Sequence, residues 1–246
     1  FEKQYIAHRG LFDNESEAPE NSIPAFQRAV QQGYGIELDV QLTKDGEMVV
    51  VHDEEIDRVS DGSGFVKDYT LAELKILNFN KTHPEYQDVK IPTLREVYEA
   101  LKPTGVTINV ELKTGIFWYK DLEKKVLELT KEMEMEDRVI YSSFNHYSIQ
   151  QMKKIVPEAE TAYLYSDVIL NVAEYAKNTK VDGLHPAVYH VKMADFLKEY
   201  LGSNLNVRVW TVNEKADMKW LIDAGVTAII TNYPDMAVQI KKEAEA

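Results

Sequence analysis

Charged side chains cluster where three strand-like runs of the sequence end. The first run ends in His8-Arg9-Gly10, the second in Glu37-Leu38-Asp39 and a later one in Glu111-Leu112-Lys113. Alternate residues of a strand share a face, so Glu37 is expected beside Asp39, and Glu111 beside Lys113. Three carboxylates that converge at one place would repel one another unless a cation lay between them. Oxygen ligands alone select a hard divalent ion such as Mg²⁺, Ca²⁺ or Mn²⁺.

A structural role is the alternative for these acids. In that case Glu37, Asp39 and Glu111 would form salt bridges with Arg9, Lys113 or lysines of the sheet. Their concentration at strand ends, beside two histidines, favours a divalent-metal site over separate salt bridges.

Two histidines accompany the acids. His8 ends the first run, and His52 returns to the same region at the end of the third run. Imidazole is the side chain that titrates closest to neutral pH, so the pair suits general acid–base catalysis. Each histidine alone could equally be a hydrogen-bonded core residue. Arg9 and Lys113 would neutralise a bound phosphate, Arg9 through its planar fork and Lys113 as a point charge.

These side chains need a scaffold, and the composition limits what it can be. The chain has 246 residues, 44% of them hydrophobic and 28% charged, which excludes a disordered or fibrous protein. A net charge of −13 argues against nucleic acid or an anionic membrane as a partner. The sequence has no cysteine, so disulfides and thiolate sites are excluded. No apolar run approaches the ~20 residues of a membrane-spanning helix.

Short β-branched runs alternate with amphipathic segments along the chain. Nine runs are typical of strands: Tyr5–His8, Gly35–Gln41, Met48–His52, Thr107–Glu111, Arg138–Ser142, Thr161–Tyr165, Gly183–Pro186, Val207–Thr211 and Ala228–Thr231. The alternation predicts a parallel sheet with crossover helices. Lys44-Asp45-Gly46 is too short for a crossover and favours an antiparallel hairpin, so Met48–His52 becomes a hairpin arm and eight strands remain.

The fold class that follows is α/β, a (β/α)8 TIM barrel formed by residues 1–246 as a single catalytic domain. In such barrels the carboxyl ends of the strands form the active face, which is where the acids and histidines fall. A doubly wound open sheet is the alternative, but no Gly-rich dinucleotide fingerprint follows any of the predicted strands.

Several helix boundaries are predicted by their capping residues. Thr93-Leu94-Arg95-Glu96 is typical of a capping box that opens a helix to Leu101. Asn213 is the expected N-cap of a helix that Gly225 ends. Lys120–Met135 and His146–Ile155 carry apolar residues at helical spacing.

One long segment, Glu54–Lys90, departs from the β-α alternation. It contains a predicted short helix at Leu71–Leu77, capped by Thr70 and Glu73, and a polar tail. Connections of this length are uncommon and are often functional. We predict an insertion at about residues 54–90, after the second strand, that covers part of the barrel mouth and adds no strand to the barrel.

Aromatic residues follow several of the same strand ends, namely Phe12, Phe117, Trp118, Tyr119, Phe144 and Trp210. Phe12 and Trp210 are candidates for the wall of a substrate pocket, although a tryptophan at a strand end is as often part of the core. Phe117-Trp118-Tyr119 predicts an apolar rim, or a patch for a partner or an apolar leaving group. His185 and His190 are weaker candidates for contact with a substrate.

The order and spacing of the motifs resemble those of the glycerophosphodiester phosphodiesterases along the whole chain. The resemblance rests on Ala7-His8-Arg9-Gly10, Pro19-Glu20-Asn21-Ser22, Glu37-Leu38-Asp39-Val40, Thr43-Lys44-Asp45-Gly46, Val51-His52-Asp53, Ile91-Pro92-Thr93-Leu94, Glu111-Leu112-Lys113, Trp210-Thr211-Val212-Asn213 and Thr231-Asn232-Tyr233-Pro234-Asp235.

The resemblance implies roles for individual residues. One divalent cation would be bound by Glu37, Asp39 and Glu111, with His8 and His52 as general acid and base and with Arg9 and Lys113 at the phosphate. Asn21 would lie near the metal or the phosphate, while Glu20 is as readily a structural brace. The family cleaves glycerophosphodiesters, such as glycerophosphocholine or glycerophosphoethanolamine, to glycerol 3-phosphate and an alcohol. In the implied mechanism the substrate's glycerol hydroxyl attacks phosphorus, and water then opens the cyclic phosphate.

Other functions remain open. A relative could act on lysophospholipids as a lysophospholipase D, or form a cyclic phosphate without opening it, and the Phe117–Tyr119 cluster supports this alternative. A non-catalytic barrel that only binds phosphate esters would need no paired acid and base. We expect a small-molecule substrate, no nucleic acid and no integral membrane segment; a homodimer is compatible with the sequence. A cytoplasmic location is expected, with secretion as the alternative if a leader has been removed.

Overall fold

The structure is a computed structural model that describes residues 4–10 and 18–246. Phe12, one of the two aromatic residues expected in a substrate pocket, lies outside these residues. The described part contains the other residues expected at the site.

The described residues form eight parallel strands and one antiparallel arm. In chain order they are β1 (Gln4–His8), β2 (Gly35–Leu42), β3 (Met48–Val50), β4 (Ile108–Leu112), β5 (Val139–Ser143), β6 (Thr161–Tyr165), β7 (Gly183–Pro186), β8 (Asn206–Val209) and β9 (Ala228–Thr231). β1 pairs in parallel with both β2 and β9, and this double pairing closes the barrel. β3 is antiparallel to β2 alone. The predicted (β/α)8 barrel is confirmed.

The hairpin between β2 and β3 forms at the predicted turn. Gly46 has a φ of +78°, a conformation that glycine adopts without a steric penalty, and its N–H donates to the carbonyl of Thr43 at 3.0 Å. The strand was expected to continue to His52 but ends at Val50. Beyond it the N–H of Val51 still donates to the carbonyl of Asp39, and Nε2 of Gln41 lies within 3.1 Å of the carbonyl oxygens of residues 51, 52 and 53.

Helices cover the outside of the barrel. They are α1 (Ile23–Gln31), α2 (Leu71–Ile76), α3 (Leu94–Leu101), α4 (Leu122–Glu132), α5 (His146–Ile155), α6 (Val172–Asn178), α7 (Val188–Val191), α8 (Phe196–Gly202), α9 (Lys215–Ala224) and α10 (Pro234–Glu245). The capping boxes predicted at Thr70 and Thr93 both form, with the hydroxyl accepting from the third residue of the helix and the glutamate closing the box.

The start of α9 corrects one prediction. Its N-cap is Glu214, not Asn213, whereas Gly225 ends the helix as expected with a φ of +87°. Asn213 is engaged elsewhere: its Oδ1 accepts from the backbone N–H of Asn232 at 3.0 Å and from the hydroxyl of Thr231 at 3.3 Å. The side chain therefore joins the ends of β8 and β9 instead of capping a helix.

The period of two along the strands separates an apolar shell from a polar barrel interior. On β2, Ile36, Leu38 and Val40 belong to the large core between the sheet and the helices. The intervening Glu37 and Asp39 are also buried, but on the barrel side. This alternation places acidic side chains inside the barrel at its carboxyl end.

The segment at residues 54–90 folds around a small core of its own. Ile56, Val59, Val66, Leu74 and Phe79 pack there with Val49, Val51 and Ile91. All residues from 54 to 90 are described, and they contain α2, a 3-10 turn and a single isolated bridge but no barrel strand. The prediction that this insertion adds no strand is confirmed. The single-domain organisation stays a prediction.

Among the helices in the described residues, none is both long and apolar enough to cross a membrane.

Candidate active site

Three acids meet at the carboxyl end of the barrel. Glu37 and Asp39 come from β2, and Glu111 comes from β4, where it pairs with Asp39 in the strand register. Each offers a carboxylate oxygen within 4.8 Å of the others, and all three side chains are buried. A close group of buried carboxylates is costly without a compensating cation.

The pKa values of the three carboxyl groups reflect the cost of burying them close together. Burial, reinforced by the charge of Asp39, raises the pKa of both Glu37 and Glu111 well above the ordinary value. Burial also acts against the charge of Asp39, but His52 and Arg9 help to outweigh it and lower the pKa of that carboxyl. Burial thus opposes the negative charge of all three carboxyl groups.

The donor set fits a divalent cation. Asn21 donates from Nδ2 to Asp39 Oδ2 at 2.9 Å, while Oδ1 of Asn21 and Oδ1 of Asp39 are buried and accept no hydrogen bond within the described residues. Unpaired buried oxygens beside carboxylates are what a hard cation coordinates. The cluster is therefore compatible with a divalent-metal site.

Arg9 and Lys113 flank the acids. Arg9 donates from its backbone N–H to Glu37 Oε2 at 3.2 Å, and its Nε lies 3.6 Å from Asp39 Oδ2. The ammonium of Lys113 lies 3.7 Å from Glu54 of the insertion. Burial works against the positive charge of Lys113, but Glu111, Asp39 and Glu54 outweigh it and raise the pKa of that ammonium. Two fixed cations thus lie beside the acidic cluster.

His8 is held by a residue that the sequence reasoning did not assign to the site. Its Nδ1 lies 2.8 Å from Oδ1 of Asn232, and its Nε2 lies 3.9 Å from Oε2 of Glu37. Burial, aided by the nearby Arg9, lowers the pKa of His8 to about 4. Asn232 directly follows β9, so the rule that placed the acids at strand ends could also have identified it.

His52 is held by its neighbour Asp53. The Nδ1–H of His52 donates to Asp53 Oδ1 at 2.7 Å. The hydrogen bond from His52, together with Arg58, holds the pKa of the Asp53 carboxyl well below its usual range, although partial burial opposes this. Because the carboxylate can only accept, Nδ1 carries the proton and Nε2 is the nitrogen left for exchange with a substrate.

A cavity of about 110 Å³ joins these groups. It is lined by His8, Arg9, Glu37, His52, Asn109, Glu111, Ser142, Phe144, Leu164, Trp210, Thr211 and Ile230. Trp210 thus forms part of the wall, with its Nε1 donating to the carbonyl of His185 and its ring 5.6 Å from that of Phe144 in an edge-to-face arrangement. Asn109 and Ser142 were not anticipated, although both are polar residues on the barrel side of their strands.

The aromatic run after Lys113 does not form one exposed rim. Tyr119 is buried and donates its hydroxyl to Gln41 at 2.7 Å, while Phe117 packs edge-to-face on Phe65 of the insertion. Only Trp118 of the three is largely exposed, with its Nε1 donating to Glu123 at 2.8 Å. The predicted rim is therefore wrong for Tyr119, because its hydroxyl finds a buried partner.

His185 and His190 are buried and do not line the cavity within the described residues. A larger hollow of about 510 Å³ lies towards the opposite end of the barrel, near Tyr34 and Thr107, but its lining includes no ionisable acid, lysine, arginine or histidine among the described residues. Of these two cavities, the smaller one has the acidic, basic and histidine side chains in its lining.

Comparison with protein families identifies the chain. A model described as the glycerophosphoryl diester phosphodiesterase family matches residues 8–236. The chain belongs to this family. The match spans the three acids, both histidines, Arg9 and Lys113, so the whole candidate site lies inside the family region.

Relatives extend the likeness over nearly the full length. The glycerophosphodiester phosphodiesterase of Caldanaerobacter subterraneus subsp. tengcongensis is 40% identical over 240 residues, which cover 97% of each chain. A human lysophospholipase D is 26% identical, covering 95% of this chain and 84% of that protein. A phosphodiesterase of Oleispira antarctica, solved in complex with the product sn-glycerol-3-phosphate, is 30% identical, with a TM-score of 0.87 and coverage of 99% and 97%.

Proposed function

We propose that this protein hydrolyses glycerophosphodiesters to glycerol 3-phosphate and an alcohol, in a reaction that depends on one divalent cation. The observation that carries the proposal is the cavity lined by two histidines, Arg9 and two acids, which form one buried cluster with Asp39. Membership of the family and the product complex of the Oleispira antarctica relative support the same substrate class.

The charges of the cavity suit a phosphodiester. The substrate carries one negative charge, and its transition state spreads more charge over the phosphoryl oxygens. Arg9 and Lys113 are held beside the acids by the surrounding structure, so they would meet this charge without further reorganisation. The acids alone would repel the substrate, and Arg9 and Lys113 would reduce this repulsion.

The cation-binding role falls to Glu37, Asp39 and Glu111, with Asn21 holding Asp39 in place. A hard divalent ion such as Mg²⁺, Ca²⁺ or Mn²⁺, once bound there, would supply positive charge to the substrate's oxygens and lower the pKa of a hydroxyl. The residues around it bind the phosphate, orient the diester and move protons.

His8 and His52 would perform the proton transfers. In the first step the glycerol hydroxyl of the substrate attacks phosphorus, one histidine takes the proton of that hydroxyl and the other protonates the departing alkoxide. In the second step water opens the cyclic phosphate with the histidine roles reversed. The hydrogen bonds at Nδ1, to Asn232 and Asp53, keep each imidazole in a fixed orientation during both steps.

Lysophospholipid hydrolysis is the second candidate. The human lysophospholipase D relative raises this alternative, and Phe144 and Trp118 lie partly exposed near the barrel mouth. A product that stays cyclic is a variant of the same chemistry. A barrel that only binds phosphate esters is disfavoured, since binding needs no two oriented histidines.

Coupled assays for glycerol 3-phosphate and for choline separate these candidates, because a lysophospholipase D releases choline and lysophosphatidic acid, not glycerol 3-phosphate, from lysophosphatidylcholine. The purified protein is stripped with chelator, supplied in turn with Mg²⁺, Ca²⁺ or Mn²⁺, and offered glycerophosphocholine, glycerophosphoethanolamine or lysophosphatidylcholine. We expect release of glycerol 3-phosphate from the first two substrates, only with added metal. Faster turnover of lysophosphatidylcholine would favour the lysophospholipase activity, and phosphate-ester binding without turnover of any substrate would overturn the proposal.

A further inference from the structure

We infer that Arg58, a residue of the insertion, is a positioning residue that holds His52 through Asp53 and joins it to Arg9 through Glu20. The inference rests on the proposed function, because it concerns how His52 acts in that reaction. It assigns to the insertion a part in forming the catalytic geometry, beyond covering one side of the mouth.

Arg58 donates two hydrogen bonds to Asp53. Its Nε donates to Asp53 Oδ2 at 2.8 Å and its Nη2 donates to Oδ1 at 3.1 Å. Oδ1 of Asp53 also accepts the bond from Nδ1 of His52. The orientation of the carboxylate, and with it that of the imidazole, is therefore set by the guanidinium plane.

The same guanidinium binds a second carboxylate. Nη1 of Arg58 donates to Glu20 Oε1 at 2.6 Å and Nη2 to Glu20 Oε2 at 3.0 Å. Oε2 of Glu20 also accepts from Nη1 of Arg9 at 2.9 Å. The side chain of Glu20 is only 5% exposed, so a buried carboxylate lies between the two guanidinium groups. The chain of contacts runs from His52 to the residue proposed to bind phosphate.

The insertion's own core fixes the position of Arg58. Ile56 and Val59 on either side of it are buried in that core. Ser60 closes the turn, with its N–H and its hydroxyl both donating to the carbonyl of Ile56. The backbone of Arg58 thus lies in a turn whose neighbouring residues are buried. Its guanidinium binds Asp53 on one edge and Glu20 on another.

The contacts of Arg58 are better suited to orienting Asp53 and His52 than to stabilising the fold. The side chain of Arg58 is 45% exposed, and exposed ion pairs contribute little to the free energy of folding. Lysine could supply the charge but not the planar fork that contacts two carboxylates at once. Loss of the fork would let Asp53 rotate and would leave His52 in several orientations. A small misplacement of a reacting group can cost on the order of 10²-fold in rate.

A double-mutant cycle on turnover tests this inference. We expect Arg58→Ala to lower kcat for glycerophosphocholine by about 10- to 100-fold, with a much smaller change in KM. In the background of His52→Gln the same change should lower kcat less than about threefold, because Arg58 acts through His52. Equal losses in both backgrounds, or no loss in the otherwise native enzyme, would overturn the inference.

The chain offers a matched control. Arg95 forms the same kind of two-bond pair with Glu132, both bonds at 2.9 Å, and its side chain is 47% exposed, but it lies outside the cavity. Arg95→Ala should leave kcat unchanged. If Arg58→Ala fails to fold by thermal melting, Arg58→Lys takes its place in the cycle with the same criteria.

A second readout does not depend on activity. The ¹⁵N signals of the His52 ring should shift or broaden in Arg58→Lys but not in Arg95→Lys, because the first change loosens the carboxylate at Nδ1. If the native protein hydrolysed none of the substrates, the proposed function would fail while this measurement still tested the contact. An unchanged His52 spectrum in Arg58→Lys would contradict the inference.

Discussion

His8 and His52 reach one cavity from distant parts of the chain, and each is oriented by a different neighbour. His8 is held by Asn232, which follows β9, and His52 by Asp53, which lies just beyond β3. Orientation at Nδ1 directs the opposite nitrogen of each ring to the cavity. Two imidazoles fixed in this way are what a reaction with one proton taken and one proton given requires.

Replacement of either histidine by alanine should lower turnover by about 10²- to 10⁴-fold, the usual contribution of positioned proton transfer. Metal affinity should change far less, because the proposed ligands are the three acids. A nitrophenyl ester, whose leaving group needs no proton, should rescue the variant that lacks the acid and not the other. Near-normal turnover of glycerophosphocholine by both variants would show that the histidines are structural.

Residue types and spacing predicted the acids, the histidines and the two cations, but not the residues that hold them. Glu37, Asp39 and Glu111 could be placed together because parallel strands end at one face. Arg58 could not be placed, because its partner Glu20 is 38 residues earlier and the contact depends on how the insertion folds. Tyr119 was misplaced for a similar reason, since its partner Gln41 is 78 residues away.

At the scale of elements, the two residues that follow β1 bring Arg9 close to the acids and lie close against α1. Arg9 itself has a φ of +54°, and Gly10 follows with a φ of +81°. A Cβ on Gly10 would lie 2.8 Å from both the carbonyl carbon and the Cβ of Ala25 in α1. Glycine is needed here both for the backbone conformation and for the close approach.

Gly10→Ala should therefore destabilise the protein more than Gly33→Ala. Gly33 also has a φ of +81°, but a Cβ there meets nothing within 4 Å. We expect about 1 kcal/mol from the left-handed backbone in Gly33→Ala, and about 1–3 kcal/mol more from the clash in Gly10→Ala. Urea unfolding measures both, and Gly10→Ala should also lose turnover as Arg9 moves. Equal free energies of unfolding for the two variants would contradict this account of the loop.

The elements themselves were largely predictable from local pattern. Strand runs, the Asp45-Gly46 hairpin and the capping boxes at Thr70 and Thr93 depend on neighbours in the sequence and were confirmed. The N-cap at Asn213 was wrong because a competing partner, Asn232, reaches it only once β8 and β9 are paired. Local capping signals fail where tertiary hydrogen bonds claim the same side chain.

At the scale of the whole molecule, several histidines are buried in the fold away from the proposed reaction. Burial, with Arg208 beside it, lowers the pKa of His185 well below the ordinary 6.5. Burial also lowers the pKa of His146 and of His190. Below pH 6.5 the unfolded chain takes up protons that these native residues do not, so the free energy of unfolding falls as the pH drops.

His185→Gln should reduce this pH dependence. A histidine kept neutral in the native state costs about 2 kcal/mol of stability between pH 7 and pH 5, at about 1.4 kcal/mol per pH unit below its unfolded pKa. Over the same interval, the free energy of unfolding should therefore fall by about 2 kcal/mol less in the variant than in the native protein. Urea unfolding at each pH measures this difference. His83→Gln, in the insertion, serves as the control. If the free energy of unfolding depended on pH identically in the native protein and in His185→Gln, the contribution proposed for His185 would be contradicted.

The exclusion of nucleic-acid partners from the net charge, the expected cytoplasmic location and the homodimer also belong to this scale, and all three inferences stay predictions. The fold is a closed barrel with a cluster of ionisable side chains at the carboxyl end of its strands. That end collects three acids, two histidines and two cations that are separated by as many as 105 residues in the chain, from His8 to Lys113.

The central claim, that the three buried acids hold the cation on which hydrolysis depends, is tested most directly by comparing native protein with Glu37→Gln in a single titration. Chelated protein is titrated with Mg²⁺, Ca²⁺ or Mn²⁺ while release of glycerol 3-phosphate from glycerophosphocholine is followed. The native enzyme should regain turnover as metal is added, whereas Glu37→Gln, folded by thermal melting, should bind metal weakly and stay inactive. Full turnover of Glu37→Gln after chelation and metal addition, or undiminished turnover of the native enzyme in chelator, would contradict the account.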